Sequence, residues 1–299
     1  MDITNNNQFR SAFIALFGRP NSGKSTLMNT VLQETISIVT SLPQTTRQNI
    51  KGIYSEDNLQ IVFVDTPGMH KGKHTLNEMM REQAVSAVVS GVDLICYLVD
   101  LSRDFGDEES DCAACAASSS VPVLLVFNKV DLCGDVDGKV KAFLSAYKGF
   151  KDAPMIKISA SSPKSKEIFL AAVNPLIPEG PKYFDDDSLT DASMRTIAAE
   201  FIRKQVIVNT REEVPHAVFV EIEEYRETPQ KHEIVAGIHV ETQGQKGIII
   251  GSKGALIDKI KKFARRDIEN LVGGKVSLKL HVKVTPGWRD DSNFLRGMQ

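Results

Sequence analysis

Gly18-Arg19-Pro20-Asn21-Ser22-Gly23-Lys24-Ser25 fits the spacing GxxxxGK[ST], after the apolar run Phe13–Phe17 and before a helix-like stretch. That pattern makes a phosphate cradle. Glycines let the backbone curl so that several N–H groups face phosphate oxygens. The following helix start adds positive potential. Lys24 is expected to reach the β- and γ-phosphates and to act catalytically, and the Ser25 hydroxyl to bind Mg2+. Gly18, Asn21, Ser22, Gly23 and Thr26 are expected to line the same nucleotide-binding loop.

Three further groups stand at the ends of apolar runs. Asp65-Thr66-Pro67-Gly68 follows Gln60–Val64, which puts a carboxylate near the metal and the Gly68 N–H near the γ-phosphate. Asn128-Lys129-Val130-Asp131 follows Val123–Phe127. Asp131 can accept two hydrogen bonds from guanine, from the ring N–H and the exocyclic amine. Adenine lacks both donors on that edge, so ATP would leave a partly buried carboxylate unpaired. The nucleotide is therefore expected to be GTP or GDP. Ser159-Ala160 stands where a backbone contact to guanine belongs. Between the cradle and Asp65 lies Gln44-Thr45-Thr46-Arg47. A threonine hydroxyl there would complete the Mg2+ shell and sense the γ-phosphate. Thr45 and Thr46 both qualify, and Thr46 is preferred.

A second chemistry sits near the other end. In Gly244-Gln245-Lys246-Gly247-Ile248-Ile249-Ile250-Gly251-Ser252-Lys253-Gly254, the last four residues form a GxxG loop ahead of a helix. Such a loop brings the backbone close to a sugar-phosphate chain. Gly251, Ser252, Lys253 and Gly254 are expected at RNA phosphates, with Lys246 adding charge. Ile249 and Ile250 belong to an apolar floor under unstacked bases, formed by Ile248–Ile250 with Ile257 and Ile260. Charge agrees: residues 180–229 carry 6 Lys/Arg against 11 Asp/Glu, and residues 230–299 carry 13 against 7.

The elements that hold these groups fall into two patterns. Runs at 13–17, 60–64, 94–99, 123–127 and 155–158 alternate with helical stretches at 25–32, 76–89, 107–118, 136–147 and 166–177. Such alternation predicts an α/β domain, a mainly parallel sheet with helices on both faces, over residues 1–178. The Pro-, Gly- and Asp-rich residues 179–191 read as a linker. Residues 192–299 give helix, strand, strand, helix, strand, which predicts an α+β domain of the prokaryotic (type II) KH variant.

A chain of 299 residues has room for both. No run of about 18 uncharged apolar residues predicts a membrane span, and the first residues lack the apolar core of a secretory signal. Four cysteines argue against a disulfide framework. Cys112 and Cys115 form a CxxC with no second ligand pair. Trp288 is expected to pack at the domain edge or to stack on a base.

Taken together, GRPNSGKSTLMN, PQTTR, FVDTPGMH, NKVD and GQKGIIIGSKG resemble the Era family of bacterial ribosome-assembly GTPases across nearly the whole chain. The resemblance implies a GTP-hydrolysing switch that binds the 3′ end of 16S ribosomal RNA through its KH domain. It also implies action on the 30S subunit, a cytoplasmic monomer, and peripheral contact with the inner membrane. Met69 stands where Ras-like GTPases carry the water-positioning Gln, so slow intrinsic hydrolysis is expected. GTPases with a hydrophobic residue there often carry a P-loop Asn that helps bind a monovalent cation, which would make K+ at Asn21 the hydrolysis activator. Two rival readings are an RNA-binding module whose nucleotide only stabilises the fold, and a GTPase of RNA modification. The second lacks any cofactor cluster, and a single P-loop excludes a tandem GTPase.

Overall fold

The computed structural model describes residues 8–40, 49–69, 74–89 and 91–296. They form two compact units, and the change of unit at the linker falls between Asp191 and Ala192.

The first unit holds β1 (Arg10–Phe17), α1 (Lys24–Leu32), β2 (Ile50–Glu56), β3 (Leu59–Asp65), α2 (Thr75–Val89), which belongs to it from Asn77 on, and β4 (Leu94–Asp100). It continues with α3 (Asp107–Ala117), β5 (Val123–Asn128), α4 (Val136–Ala146), β6 (Met155–Lys157) and α5 (Ser165–Val173). The sheet order is β2-β3-β1-β4-β5-β6, parallel except for β2 against β3. Strand side chains alternate between two buried faces, as the pleat requires. Ala12, Ile14 and Leu16 pack with Leu27, Met28, Phe169 and Val173 of α1 and α5. Ala15, Phe17, Tyr97 and Phe127 pack with Ala84, Cys112, Ala116 and Phe143 on the other face. The strands β1, β3, β4 and β5 thus end side by side, and the motif loops emerge from those ends, where ligands of α/β sheets bind.

The edge strand β2 is not apparent from hydrophobic spacing. Its run IKGIYSE buries Ile50, Ile53 and Tyr54 but breaks them with Lys51 and Gly52, and its ladder is the antiparallel hairpin with β3. The Pro- and Asp-rich segment after α5 is no free tether. Gly180 N–H donates to the Phe9 carbonyl at 3.1 Å, and Ile53 N–H to the Leu189 carbonyl at 2.9 Å. The buried Gln60 amide accepts from the Tyr183 and Phe184 N–H groups at 2.8 and 3.0 Å. It also donates to the Phe184 carbonyl at 2.9 Å.

The second unit contains α6 (Met194–Asn209), β7 (Phe219–Glu227), β8 (His232–Val240), α7 (Gln243–Ile250), α8 (Ala255–Val272), β9 (Val276–Val284) and the short α9 (Ser292–Arg296). The sheet order is β7-β8-β9, with β7 antiparallel and β9 parallel to β8. Helix α8 buries Ile260, Ala264 and Ile268, one stripe at four-residue spacing. Helix α7 is absent from the order that sequence spacing predicts. Three successive isoleucines look like a strand, but the Thr242 hydroxyl accepts from Gln245 N–H and the Gln245 side chain reaches back, a capping box that starts a helix. Trp288 is fully buried and donates from Nε1 to the Ala217 carbonyl at 3.0 Å, so it packs and does not face a base.

Candidate functional site

The cradle joins β1 to α1. Gly18 and Gly23 have φ of 144° and 102°, and Asn21 has φ of 61°. A Cβ at Gly23 would lie 2.1 Å from Asn128 Nδ2, so glycine is required there for space as well as backbone. Lys24 is buried and donates from Nζ to the carbonyls of Gly18 and Arg19 at 3.1 and 2.9 Å. Burial pulls its ammonium below its ordinary pKa, and Asp65 pushes the other way. A phosphate at the same place would satisfy the charge better than two carbonyls do.

Ser25 and Asp65, two of the three residues expected at a metal, lie together. Ser25 Oγ donates to Asp65 Oδ2 at 2.6 Å, and Ser37 Oγ donates to the same oxygen at 2.7 Å. Asp65 is fully buried at the end of β3. Adjacent hydroxyl and carboxylate oxygens are the hard donors Mg2+ takes, so this set fits the ion. Ser37 escapes sequence reasoning, because no motif marks it. Asn29 fixes its segment, accepting from Ile36 and Ser37 N–H at 3.1 Å each and donating to the Ser37 carbonyl at 2.7 Å. Thr45 and Thr46 lie outside the described residues.

Gly68 packs directly on the cradle: a Cβ there would come within 2.6 Å of Pro20 N and Cα. Met69 is buried in the core on the α3 side of the sheet. Its neighbour across the cradle is the Gly18 carbonyl, which accepts from Met69 N–H at 3.4 Å.

At the base end, Lys129 has φ of 63°, a left-handed turn that follows β5 at once. Asp131 is exposed two residues on. Asn128 is buried and spans two loops, donating from Nδ2 to the Ser22 carbonyl at 2.7 Å and accepting at Oδ1 from Ala160 N–H at 2.8 Å. Thr30 Oγ1 donates to the Ala160 carbonyl at 2.7 Å, and Ser165 Oγ to the Ser159 carbonyl at 2.6 Å. The residues expected at phosphate, metal and base therefore share one rim, save those outside the described residues. Thr26 follows Ser25 in the first turn of α1.

Sequence spacing misses Asp100, Arg103, Arg19 and Glu109, which brace the rim from behind. Arg19 Nε pairs with the buried Glu109 at 2.6 Å. Arg103 donates to Asp100 at 2.8 Å and to the Pro20 carbonyl at 2.9 Å. The only sequence signal is a carboxylate closing the apolar run of β4.

In the second unit, Gly251, Lys253 and Gly254 have φ of 71°, 51° and 83°. This left-handed turn links α7 to the 18-residue α8. Ser252 and Lys253 are exposed, and so are Lys259, Lys262, Arg265 and Arg266. Lys246 is half-buried on α7. The apolar floor needs correction. Ile249 and Ile260 are fully buried in the core of this unit and do not reach a base. Ile248 is 48% exposed, and Ile250 and Ile257 are half-buried. Helical rotation between successive residues explains the split. Among the described residues, no group of three His, Cys, Asp or Glu is placed to hold a metal. Cys112 and Cys115 are free thiols on α3, the first buried.

Comparison with known proteins agrees with this geometry. Residues 13–129 match the family described as 50S ribosome-binding GTPase, and residues 213–289 match the KH domain family. The chain is 43% identical to the GTPase Era of Geobacter metallireducens over 293 residues, 97% of each chain. It is 42% identical to the GTPase Era of Caldanaerobacter subterraneus subsp. tengcongensis, over 96% of this chain and 97% of that one. The crystal structure of Era in complex with MgGDPNP and nucleotides 1506-1542 of 16S ribosomal RNA superposes with a TM-score of 0.91. Identity to it is 31%, over 96% of this chain and 98% of that one. An Aquifex aeolicus Era variant bound to GDP.AlF4- gives 0.91 at 30% identity, over the same shares.

Proposed function

The chain belongs to the Era family of GTPases, and on that premise we propose that it is a GTP-driven switch that holds the 3′ end of 16S ribosomal RNA through its KH domain and assists 30S subunit maturation. The observation that carries this is the likeness, over nearly the whole chain, to an Era structure holding both MgGDPNP and a 16S ribosomal RNA fragment. Residues 1–178 form the GTP-binding domain, 179–191 connect, and 192–299 bind RNA.

In this reading Lys24 and the backbone of Gly18, Asn21, Ser22, Gly23, Ser25 and Thr26 bind the phosphates. Ser25 and Asp65 would hold Mg2+, with Thr46 as a further ligand, and the bound ion would neutralise phosphate charge. Gly68 N–H meets the γ-phosphate. Asp131 reads guanine, Lys129 lies at the base, and the turn Ser159-Ala160 closes over it. Water then attacks the γ-phosphorus, the bond to the β-phosphate oxygen breaks, and GDP and phosphate leave. Lys253 and the exposed cations of α8 track the RNA backbone, while Ile248 and Ile250 meet the bases.

The buried Met69 side chain cannot orient the attacking water, which supports slow intrinsic turnover and K+ near Asn21 as activator. Faster hydrolysis in KCl than in NaCl, lost in Asn21→Ala, is expected; equal rates would refute K+ activation. The same reading places the protein in the cytoplasm as a monomer, with its basic face turned to anionic lipid at the membrane. Gradient sedimentation and vesicle flotation read those two points.

The central test is affinity for the 16S ribosomal RNA 3′ tail against a scrambled oligomer, with GTP analogue, with GDP and without nucleotide, at fixed salt. Tighter, sequence-selective binding with the analogue is expected. Affinity indifferent to nucleotide would leave two tethered domains and no switch.

A further inference from the structure

Asp100 closes β4 with a fully buried carboxylate, a costly place for a charge without partners. Both of its oxygens are engaged. Oδ2 accepts from Lys129 Nζ at 2.7 Å and from Arg103 Nε at 2.8 Å. Oδ1 accepts from Ser102 N–H at 2.9 Å and from the Ser102 hydroxyl at 2.6 Å. Burial pushes the carboxyl pKa up, and the bonds from Lys129 and Ser102 outweigh that, so the pKa falls below the usual carboxylate range and the group stays ionised.

Both cations lead to the nucleotide rim. Lys129 stands between Asn128 and Asp131. Arg103 donates with its second nitrogen to the Pro20 carbonyl in the cradle, 2.9 Å away. The β4–β5 ladder pairs Asp100 with Asn128, and Leu101 N–H donates to the Asn128 carbonyl at 3.0 Å. One carboxylate therefore braces the base end and the phosphate end at once.

We propose that Asp100 is a positioning residue for the guanine nucleotide, fixing the Lys129 ammonium at the base and, through Arg103, the Pro20 carbonyl behind the phosphates. This rests on the reading that residues 128–131 receive guanine. A free lysine side chain samples many rotamers, and ordering it on binding costs affinity. Asp100 removes that freedom before the nucleotide arrives, so binding need not order Lys129. The Arg103 fork does the same for the cradle backbone.

The full-length protein tests this by GDP affinity and steady-state GTP hydrolysis in Asp100→Asn, Lys129→Met and the double variant. Asp100→Asn is expected to weaken GDP binding and raise KM about tenfold, with kcat at saturating GTP within about twofold. Asp100→Glu should recover part of the loss. Loss in the double variant should fall short of the product of the single losses, because the carboxylate acts partly through Lys129. Wild-type affinity in Asp100→Asn, or single losses that multiply fully, would overturn the proposal. Should Asp100→Asn fail to fold, Arg103→Gln isolates the phosphate arm: weaker GDP binding is expected, and unchanged binding overturns that arm. Asp131→Asn provides the control, since an amide can donate to the carbonyl that xanthine carries in place of the guanine amine. A shift of preference toward xanthosine diphosphate upholds the base placement. No shift would overturn that placement and the proposal with it, a failure distinct from a silent Asp100→Asn.

Discussion

Asn128 bonds to Ser22 and Ala160 at once, 2.7 Å to the Ser22 carbonyl and 2.8 Å from the Ala160 N–H. A carboxamide is suited to this place because it donates at one atom and accepts at the other. Gly23 leaves the room, since any side chain there would meet the amide nitrogen. Asn128 thus ties the loop of residues 18–25 and the turn at Ala160 into one register.

Breaking that lock has a defined cost. Asn128→Ala leaves the buried Ser22 carbonyl and Ala160 N–H unpaired, at about 1–3 kcal/mol each. Asn128→Asp adds a carboxylate facing a carbonyl. GDP affinity should fall at least about tenfold in both, with a lower melting temperature. Nucleotide titration and thermal melts check this, and unaltered affinity would show that the bridge plays no part in binding.

Gly68→Ala should separate GTP from GDP. The added methyl would crowd Pro20 at 2.6 Å and push the DTPG turn off the cradle. GDP lacks the phosphate that Gly68 is proposed to meet. GTP turnover should drop at least about tenfold while GDP affinity changes only a few-fold. Equal losses for both nucleotides would remove Gly68 from the γ-phosphate.

Two adjacent isoleucines should behave oppositely. Ile249 is fully buried, so Ile249→Ala should cost about 2–5 kcal/mol in chemical denaturation. Ile248 is 48% exposed, so Ile248→Ala should stay within about 0.5 kcal/mol of wild type and weaken RNA binding several-fold. Lys253→Glu should instead lower affinity for all single strands and flatten the salt dependence, by about 0.7 in the logarithmic slope for each phosphate that the variant no longer neutralises.

Asp100 also fixes a direction with pH. Its folded pKa lies below the ordinary 3.8, so the folded chain binds fewer protons than the unfolded chain does. Its stabilising contribution is complete above that ordinary value and is lost as pH falls through the folded one. Denaturation between about pH 5 and 2 should therefore show a steeper loss of stability in wild type than in Asp100→Asn. Parallel curves would mean the carboxylate contributes nothing in acid.

The motifs carry the nucleotide site because their chemistry is local. GxxxxGK[ST] needs only the strand before it and the helix after it, and DTPG and NKVD each need only the end of a strand. The hydrophobic alternation supplies that much, and the sheet then brings the strand ends together. β2 escapes it because Lys51 and Gly52 break the apolar pattern of a strand at the sheet edge. Helix α7 escapes it because three isoleucines have no helical period of their own; Thr242 and Gln245 start the helix through hydrogen bonds that spacing does not display.

What the sequence by itself pointed to was the class of ligand expected at each motif: phosphate at Lys24, Mg2+ at Ser25, guanine at Asp131, an RNA backbone at Gly251–Gly254. These rest on the atoms each residue type carries. What only the tertiary structure decided was which residues stand free and which are consumed. Ile249 faces the core while Ile248 faces out, because a helix turns about 100° per residue. Asp100 and Arg103 reach the loops of residues 18–25 and 128–131 because β4 lies between β1 and β5, so a carboxylate 76 positions beyond Lys24 in the chain ends beside the same loops. Such contacts follow from strand order, which local spacing does not encode.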